Sequence, residues 1–206
     1  MARPLLEQLD VSRETVARLE VFEQVIRKWN PKINLVSRSS LDELWTRHIA
    51  DSVQVFRCAA PPLAGKWVDI GSGGGFPGLI IAILAAEEAP GLEVVLIESD
   101  QRKSAFLRTA ARVCGVKVRV ISERIERAEP QQADVLSARA LADLSTLLEF
   151  STRHLKIGGM ALFPKGATWK KEVDNAQGQW RFEAEPVRSI TENEAVILKI
   201  GGVARV

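Results

Sequence analysis

Hydrophobic and polar positions change rhythm near residue 60 of this chain. Before it, apolar residues return every three or four positions. Val16, Leu19, Phe22, Ile26 and Trp29 form one stripe, and Leu41, Leu44, Trp45, His48 and Phe56 form a second. That spacing predicts two amphipathic helices. The first is expected to start after Ser12 and to stop before Pro31, since proline cannot donate to the helical ladder. Ser40 with Glu43 three residues on reads as a capping box for the second, and Asn30 to Arg38 as an irregular connection between them. Two apolar faces need a partner. A helical extension of residues 1–60 is therefore expected to pack on a main domain of residues 61–206, with the boundary in Ala60-Pro61-Pro62-Leu63-Ala64-Gly65.

From Lys66 the rhythm alternates. Strand-like runs fall at 66–70, 92–97, 116–121, 133–137, 158–163, 181–187 and 194–200, with helical stretches at 77–88, 100–113, 123–128 and 140–155 between the first five. Alternating strands and helices predict an α/β fold, a mostly parallel seven-stranded sheet with right-handed crossovers. The last two runs, joined through Ser189 to Asn193, are expected to close the sheet as a hairpin.

The candidate chemistry begins where the first of these runs ends. Lys66 to Ile70 breaks into Gly71, Gly73, Gly74 and Gly75, and Leu79 to Ala86 then reads as a buried helix behind Pro77. Strand, glycine loop and helix N-terminus make a nucleotide-type pocket at the carboxyl end of a sheet. Gly73-x-Gly75-x-x-Gly78 satisfies the dinucleotide fingerprint, which alone is a weak signal. Pro77 removes one N–H that a pyrophosphate would use, and Asp69 sets a negative charge near it. Asp69 suits a ligand carrying a sulfonium or ammonium group instead. Asp69-x-Gly71-x-Gly73-x-Gly75 thus resembles the first motif of class I (Rossmann-like) methyltransferases, with S-adenosyl-L-methionine as donor. An NAD-binding module is the rival reading of the same loop.

Glu98 ends the second strand, where an acid can accept from both ribose hydroxyls of an adenosine. Asp100 can cap the following helix, which leaves Glu98 free for that role. Ile125, after the third strand, is placed to pack on adenine. Arg139 and Lys165 follow the fourth and fifth strands and are candidates for the acceptor rim. Arg139 could bind the donor's carboxylate or the acceptor's oxygen, or be a surface arginine. His48 on an apolar stripe reads as a core histidine. Cys114 sits inside a predicted helix, away from the rim, which counts against a thiol nucleophile.

Composition narrows the class further. Cys58 and Cys114 with two histidines offer no zinc or disulfide framework. There is no signal peptide or membrane-length apolar run, so a cytoplasmic protein without a membrane partner is expected. The net charge of +2 is indifferent to nucleic acid. Its distribution is not: residues 101–130 hold eight Lys/Arg against three acids, and 151–171 hold five against none. Two basic segments near one rim fit a phosphate backbone, and Trp169 beside Lys170 and Lys171 could stack a base.

Lys28-Trp29-Asn30…Asn34-Leu35, Arg47-His48-Ile49-x-Asp51-Ser52, the 69–78 glycine segment, Ser137-Ala138-Arg139-Ala140 and Lys165-Gly166 together resemble the bacterial RsmG (GidB) family over nearly the whole chain. The resemblance implies a Rossmann-like methyltransferase domain behind a small helical extension. It implies S-adenosyl-L-methionine-dependent methylation of N7 of guanine 527, in the 530 loop of 16S ribosomal RNA. The partner would be that RNA, the small ribosomal subunit or its precursor, met by a monomer. The donor-binding positions it implies are Gly71, Phe76, Ile125, Glu126 and Arg139. Guanine N7 carries a lone pair and no proton, so no general base is expected. A class I methyltransferase acting on another RNA or on a small molecule is the alternative, and a ribosome-binding protein without catalysis a further one.

Overall fold

The structure, a computed structural model, describes residues 10–59 and 64–206. The inter-lobe boundary expected at residues 60–65 falls largely outside the described residues.

Helix α1 (Arg13–Ile33) is capped by Ser12, whose hydroxyl accepts from the Thr15 N–H. It does not stop before Pro31, as the sequence suggested, but carries that proline inside its last turn. Asn34 then ends it in the left-handed region, at φ 47°. The buried Asn30 secures this end: its Oδ1 accepts from Leu35 N at 2.8 Å and Val36 N at 2.9 Å. A short helix α2 (Arg38–Asp42) is capped by Ser37 rather than Ser40, whose own N–H donates to the Ser37 hydroxyl. The expected capping box therefore does not form, because Glu43 already lies beyond the helix. A π-helical turn (Trp45–Ala50) follows and leads into α3 (Asp51–Ala59).

The sheet runs β1 (Ala64–Ile70), β2 (Gly91–Ile97), β3 (Arg119–Ile121), β4 (Ala133–Ser137), β5 (Leu155–Lys165), β6 (Trp180–Arg188) and β7 (Val196–Arg205). Its order is β3-β2-β1-β4-β5-β7-β6, with β1 to β5 parallel and β7 antiparallel to both β5 and β6. This is the seven-stranded, mostly parallel sheet that the alternation predicts. The terminal pair forms the expected hairpin, with β7 inserted against β5. The order reverses at β1, whose neighbours are β2 and β4, and a ligand crevice opens at the carboxyl ends of strands at such a reversal.

Helices α4 (Gly78–Glu88), α5 (Gln101–Val113) and α6 (Leu144–His154) cover the sheet. Leu79 to Ala85 are buried on every side, as a helix between sheet and extension requires. Leu19, Phe22 and Ile26 of α1 sit in one apolar cluster with Phe76, Leu79 and Phe106. Helix α1 and the helices on this face of the sheet thus share a core.

Three elements differ from the sequence pattern. Residues 123–128 form turns rather than a helix, with only Ile125 and Ala128 buried as anchors. The helix expected from 140 starts at Leu144, where Asp143 accepts from Thr146 N; Ala140 before it has φ 51°. A further helix, α7 (Trp169–Gln177), fills the interval between β5 and β6. Its apolar stripe is only Trp169, Val173 and Ala176, too thin to stand out from its polar residues.

Candidate active site

Two cavities open at the carboxyl edge of the sheet. The first, of about 440 Å³, is lined by Gly71, Gly73, Glu98, Ile125 and Glu126, with Leu141 and Phe150 opposite. It lies across the ends of β1 and β2. The second, of about 360 Å³, is lined by Asp51, Arg139, Lys165, Glu172 and Glu192, among others. Ala140 and Ala142 belong to both, so the segment after β4 is their common wall.

The floor of the first cavity is main chain. Gly71 and Ser72 N–H groups donate to Ile97 O, which ties the loop to the end of β2. Gly73 has φ 50°, and a Cβ there would meet only Gly71 O, at 3.7 Å. Its freedom serves conformation, not space. Glu98 is buried, its Oε2 accepting from Gly73 N and its Oε1 from Asp100 N, both at 2.8 Å. The carboxylate is therefore held still, with lone pairs left for a further donor. Ile125 is positioned from behind by α6: His154 Nε2 lies 3.0 Å from Ile125 O, and Arg153 donates twice to Ala128 O.

Asp69 is placed otherwise than the motif suggested. It is fully buried and does not line the first cavity. Trp67 Nε1 donates to the Ser137 hydroxyl, which in turn donates to Asp69 Oδ1 at 2.7 Å. Its Oδ2 points at the start of α4 with no formed hydrogen bond. Burial outweighs these donors and pushes the Asp69 carboxyl up to about 6. This acid joins β1, β4 and α4 beneath the loop.

Phe76 also stays out of the first cavity. It is buried against Phe22 (ring centroids 5.5 Å) and His48 (5.0 Å, stacked), with the Arg139 guanidinium 5.2 Å from its centroid. Arg139 lines the second cavity, not the first. Its Nη1 donates to Arg47 O, and the negative field of Asp51 and Asp69 surrounds it. Burial and the two arginines hold the His48 ring at about 3, so it is neutral at working pH. Lys165 lines the second cavity too, but its ammonium is committed to Glu172 (2.7 Å) and to Ala142 O (2.9 Å). Of the five cations in 151–171, Lys156 likewise pairs with Asp134, and Lys170 lies over Trp169. Lys165 and Arg153 are thus committed within the fold, while Lys156, Lys170 and Lys171 stay exposed. The Cys114 thiol is buried and pushed up to about 11, which does not favour a thiolate nucleophile.

The sequence did not reveal Leu141 or Asp51 as wall residues. A Cβ at Gly71 would stand 2.6 Å from Leu141 Cδ1, so that leucine closes over the glycine loop. Asp51 is half-buried on α3, and Thr191 donates its hydroxyl to Asp51 Oδ1. Asp51 stands in the Arg47-His48-Ile49-x-Asp51-Ser52 segment, the one signal that could have marked it.

A family profile described as rRNA small subunit methyltransferase G matches residues 15–199. The chain belongs to that family. Membership makes it an S-adenosylmethionine-dependent rRNA methyltransferase. It is 63% identical over 206 residues to a protein of that name from Ruegeria pomeroyi, covering all of both chains. With its namesake from Ruegeria sp. (strain TM1040) the identity is 65%, over 97% of this chain and 96% of the relative. The fold resembles that of a ribosomal protein L11 methylase from Lactobacillus delbrueckii subsp. bulgaricus. That match has a TM-score of 0.60 at 15% identity, over 75% of this chain and 78% of the other. It also resembles an S-adenosyl-L-methionine-dependent methyltransferase assigned to Methanococcus maripaludis (TM-score 0.57, 16% identity, 79% and 90% covered). The main-chain floor, the fixed Glu98 and the apolar Ile125 line the first cavity together.

Proposed function

We propose that this enzyme methylates guanine N7 in the 530 loop of 16S rRNA, holding S-adenosylmethionine in the first cavity and the guanine in the second. The observation that carries this reading is the shared wall: Ala140 and Ala142 face both cavities, so a base in one can meet a methyl group presented from the other. Glu98 accepts from the ribose, Ile125 packs on the adenine, and Gly71 and Gly73 let the donor approach the main chain. The donor supplies an electrophilic methyl on sulfur, and in-line attack by N7 requires no deprotonation. The protein's work is alignment, which positioning alone can make worth several kcal/mol.

Arg139 belongs to the acceptor side of this assignment, where it can meet a base oxygen or a phosphate. Phe76 and His48 act behind it, holding its guanidinium in place. The enzyme works as a monomer on the small subunit or its precursor, in the cytoplasm. Tritiated donor incubated with 30S particles, naked 16S rRNA or small metabolites tests the reading. Label is expected on a single guanine of the 530 loop, released as 7-methylguanine on hydrolysis. Label confined to metabolites, or to another RNA, would end it.

A further inference from the structure

The second cavity carries a cation and a carboxylate that stand near each other without pairing. Arg139 uses one guanidinium nitrogen on Arg47 O. Among the described residues it has no ion pair within 4 Å, although Asp51 contributes to its field. Asp51 uses Oδ1 for Thr191, and among the described residues no hydrogen bond reaches its Oδ2. The other two acids of the wall differ. Glu172 is neutralised by Lys165 and also accepts from Leu144 N, and Glu192 is exposed to solvent. Asp51 is the acid of this cavity held in one orientation with an oxygen left over.

A purine that offers acceptors on one edge and donors on the next complements this pair. Guanine presents O6 beside N1–H and N2–H₂, whereas adenine presents a bare acceptor at N1 and no amino group at C2. A carboxylate would hydrogen-bond the first and repel the second. Its effect on reaction follows from charge. As the N7–methyl bond forms and the carbon–sulfur bond breaks, the electron pair stays on sulfur and the positive charge moves onto the purine. No proton moves. N1–H and N2–H₂ become stronger donors as that charge grows, so an acceptor fixed opposite them binds the transition state more tightly than the ground state.

We propose that Asp51 accepts from N1–H and N2–H₂ of the acceptor guanine, selecting guanine over other bases and stabilising the charge that develops on it. The assignment rests on the reading of the second cavity as the acceptor site. Arg139 then lies on the O6 side of the same base.

The test compares the wild-type enzyme with Asp51→Asn and Asp51→Glu on small-subunit RNA carrying either guanine or inosine at the acceptor position. Inosine lacks only the N2 amino group. Inosine is expected to cost the wild-type enzyme about tenfold or more in kcat/KM. Asp51→Asn should lose about 10²-fold on guanine, mainly in kcat. Its guanine-to-inosine ratio should collapse to within about threefold of one, while calorimetric donor affinity stays as in wild type. Asp51→Glu should restore part of the ratio. If Asp51→Asn slows both substrates in equal proportion, Asp51 only supports the fold and the assignment is wrong. If the wild-type enzyme methylates no small-subunit guanine, the underlying reading fails, and the assignment with it.

Discussion

Asp69 ionises only against its surroundings, and this gives the protein a pH dependence with a definite sign. Its folded pKa of about 6 lies above the ordinary carboxylate value of 3.8. Between those pH values the folded state holds a proton that the unfolded chain has released. This term therefore raises stability as pH falls from 6 to 4, by about 3 kcal/mol at most. His48 works the other way: it stays neutral in the fold to about 3, while the unfolded chain takes up a proton below 6.5. The two offset each other in the wild-type protein. Asp69→Asn removes the first and leaves the second, so urea midpoints should fall more steeply from pH 6.5 to 4.5 in the variant. An unchanged slope would mean that Asp69 is not protonated in the fold. Two glycines, one in the loop and one opening α4, should respond oppositely to their appearance. Gly73 is left-handed but has open space, so Gly73→Ala should cost roughly 1–2 kcal/mol of backbone strain. At Gly78 a Cβ would stand 2.4 Å from Leu96 Cδ2 and 2.6 Å from Asp69 Oδ2. Gly78→Ala should therefore cost more, about 3 kcal/mol, despite alanine's better helix propensity. Chemical denaturation of the two variants ranks them directly.

Among the elements, the strands from β1 onward were legible because their apolar runs are short, regular and cut by turn residues. Residues 123–128 and α7 were not. In the first, two buried side chains gave a helical spacing that tertiary anchoring turns into a loop. In the second, a mostly polar helix offered too little periodicity. The connection after α1 shows what a sequence signature can hide. Asn30 and Asn34, noted in the sequence for the family resemblance and as part of an irregular connection, turn out to cap α1 and to hold the backbone of residues 35 and 36. That backbone lies directly on the glycine loop: a Cβ at Gly74 would stand 3.1 Å from Leu35 O. Asn30→Ala leaves two N–H groups without their acceptor and should cost about 1–3 kcal/mol. Because Leu35 then loses its anchor, donor affinity should fall as well, although Asn30 lines neither cavity. Thermal unfolding and calorimetry with S-adenosylmethionine read the two effects separately. A destabilised variant with native donor affinity would show that the extension does not brace the loop.

At the scale of the molecule, the first cavity draws Gly71 and Gly73 from one stretch of chain and Glu98 from one strand away, a pattern that a sequence can display. Asp69, Phe76 and Arg139 of the same reading lie outside it. The second cavity was not legible in this way, since it is assembled from α3, the ends of β4 and β5, and the connection between β6 and β7. No local pattern joins residues so far apart in the chain, and the register of the sheet brings them together. What reaches that cavity has to cross a surface whose overall charge is nearly balanced, at +2. Attraction for a polyanion must then come from local cations that are not already committed. Lys165 and Lys156 are paired, and Arg108 is tied to Val120 O and the Ser122 hydroxyl. Lys103 and Arg124 at the mouth of the first cavity, and Arg139 in the second, line the path instead. If about four phosphates are neutralised along it, a single-stranded segment should lose roughly 30- to 50-fold in affinity between 50 and 200 mM salt. A small-molecule acceptor would lose almost nothing over that range. Measuring kcat/KM for methylation of naked 16S rRNA against salt concentration, with calorimetric donor affinity as the control, separates the two. A steep acceptor slope beside a shallow donor slope is the expected result, and the double substitution Lys103→Glu, Arg124→Glu should flatten the former. If the acceptor slope is flat in the unsubstituted enzyme, the substrate is not gripped by its phosphates and the rim has been misread.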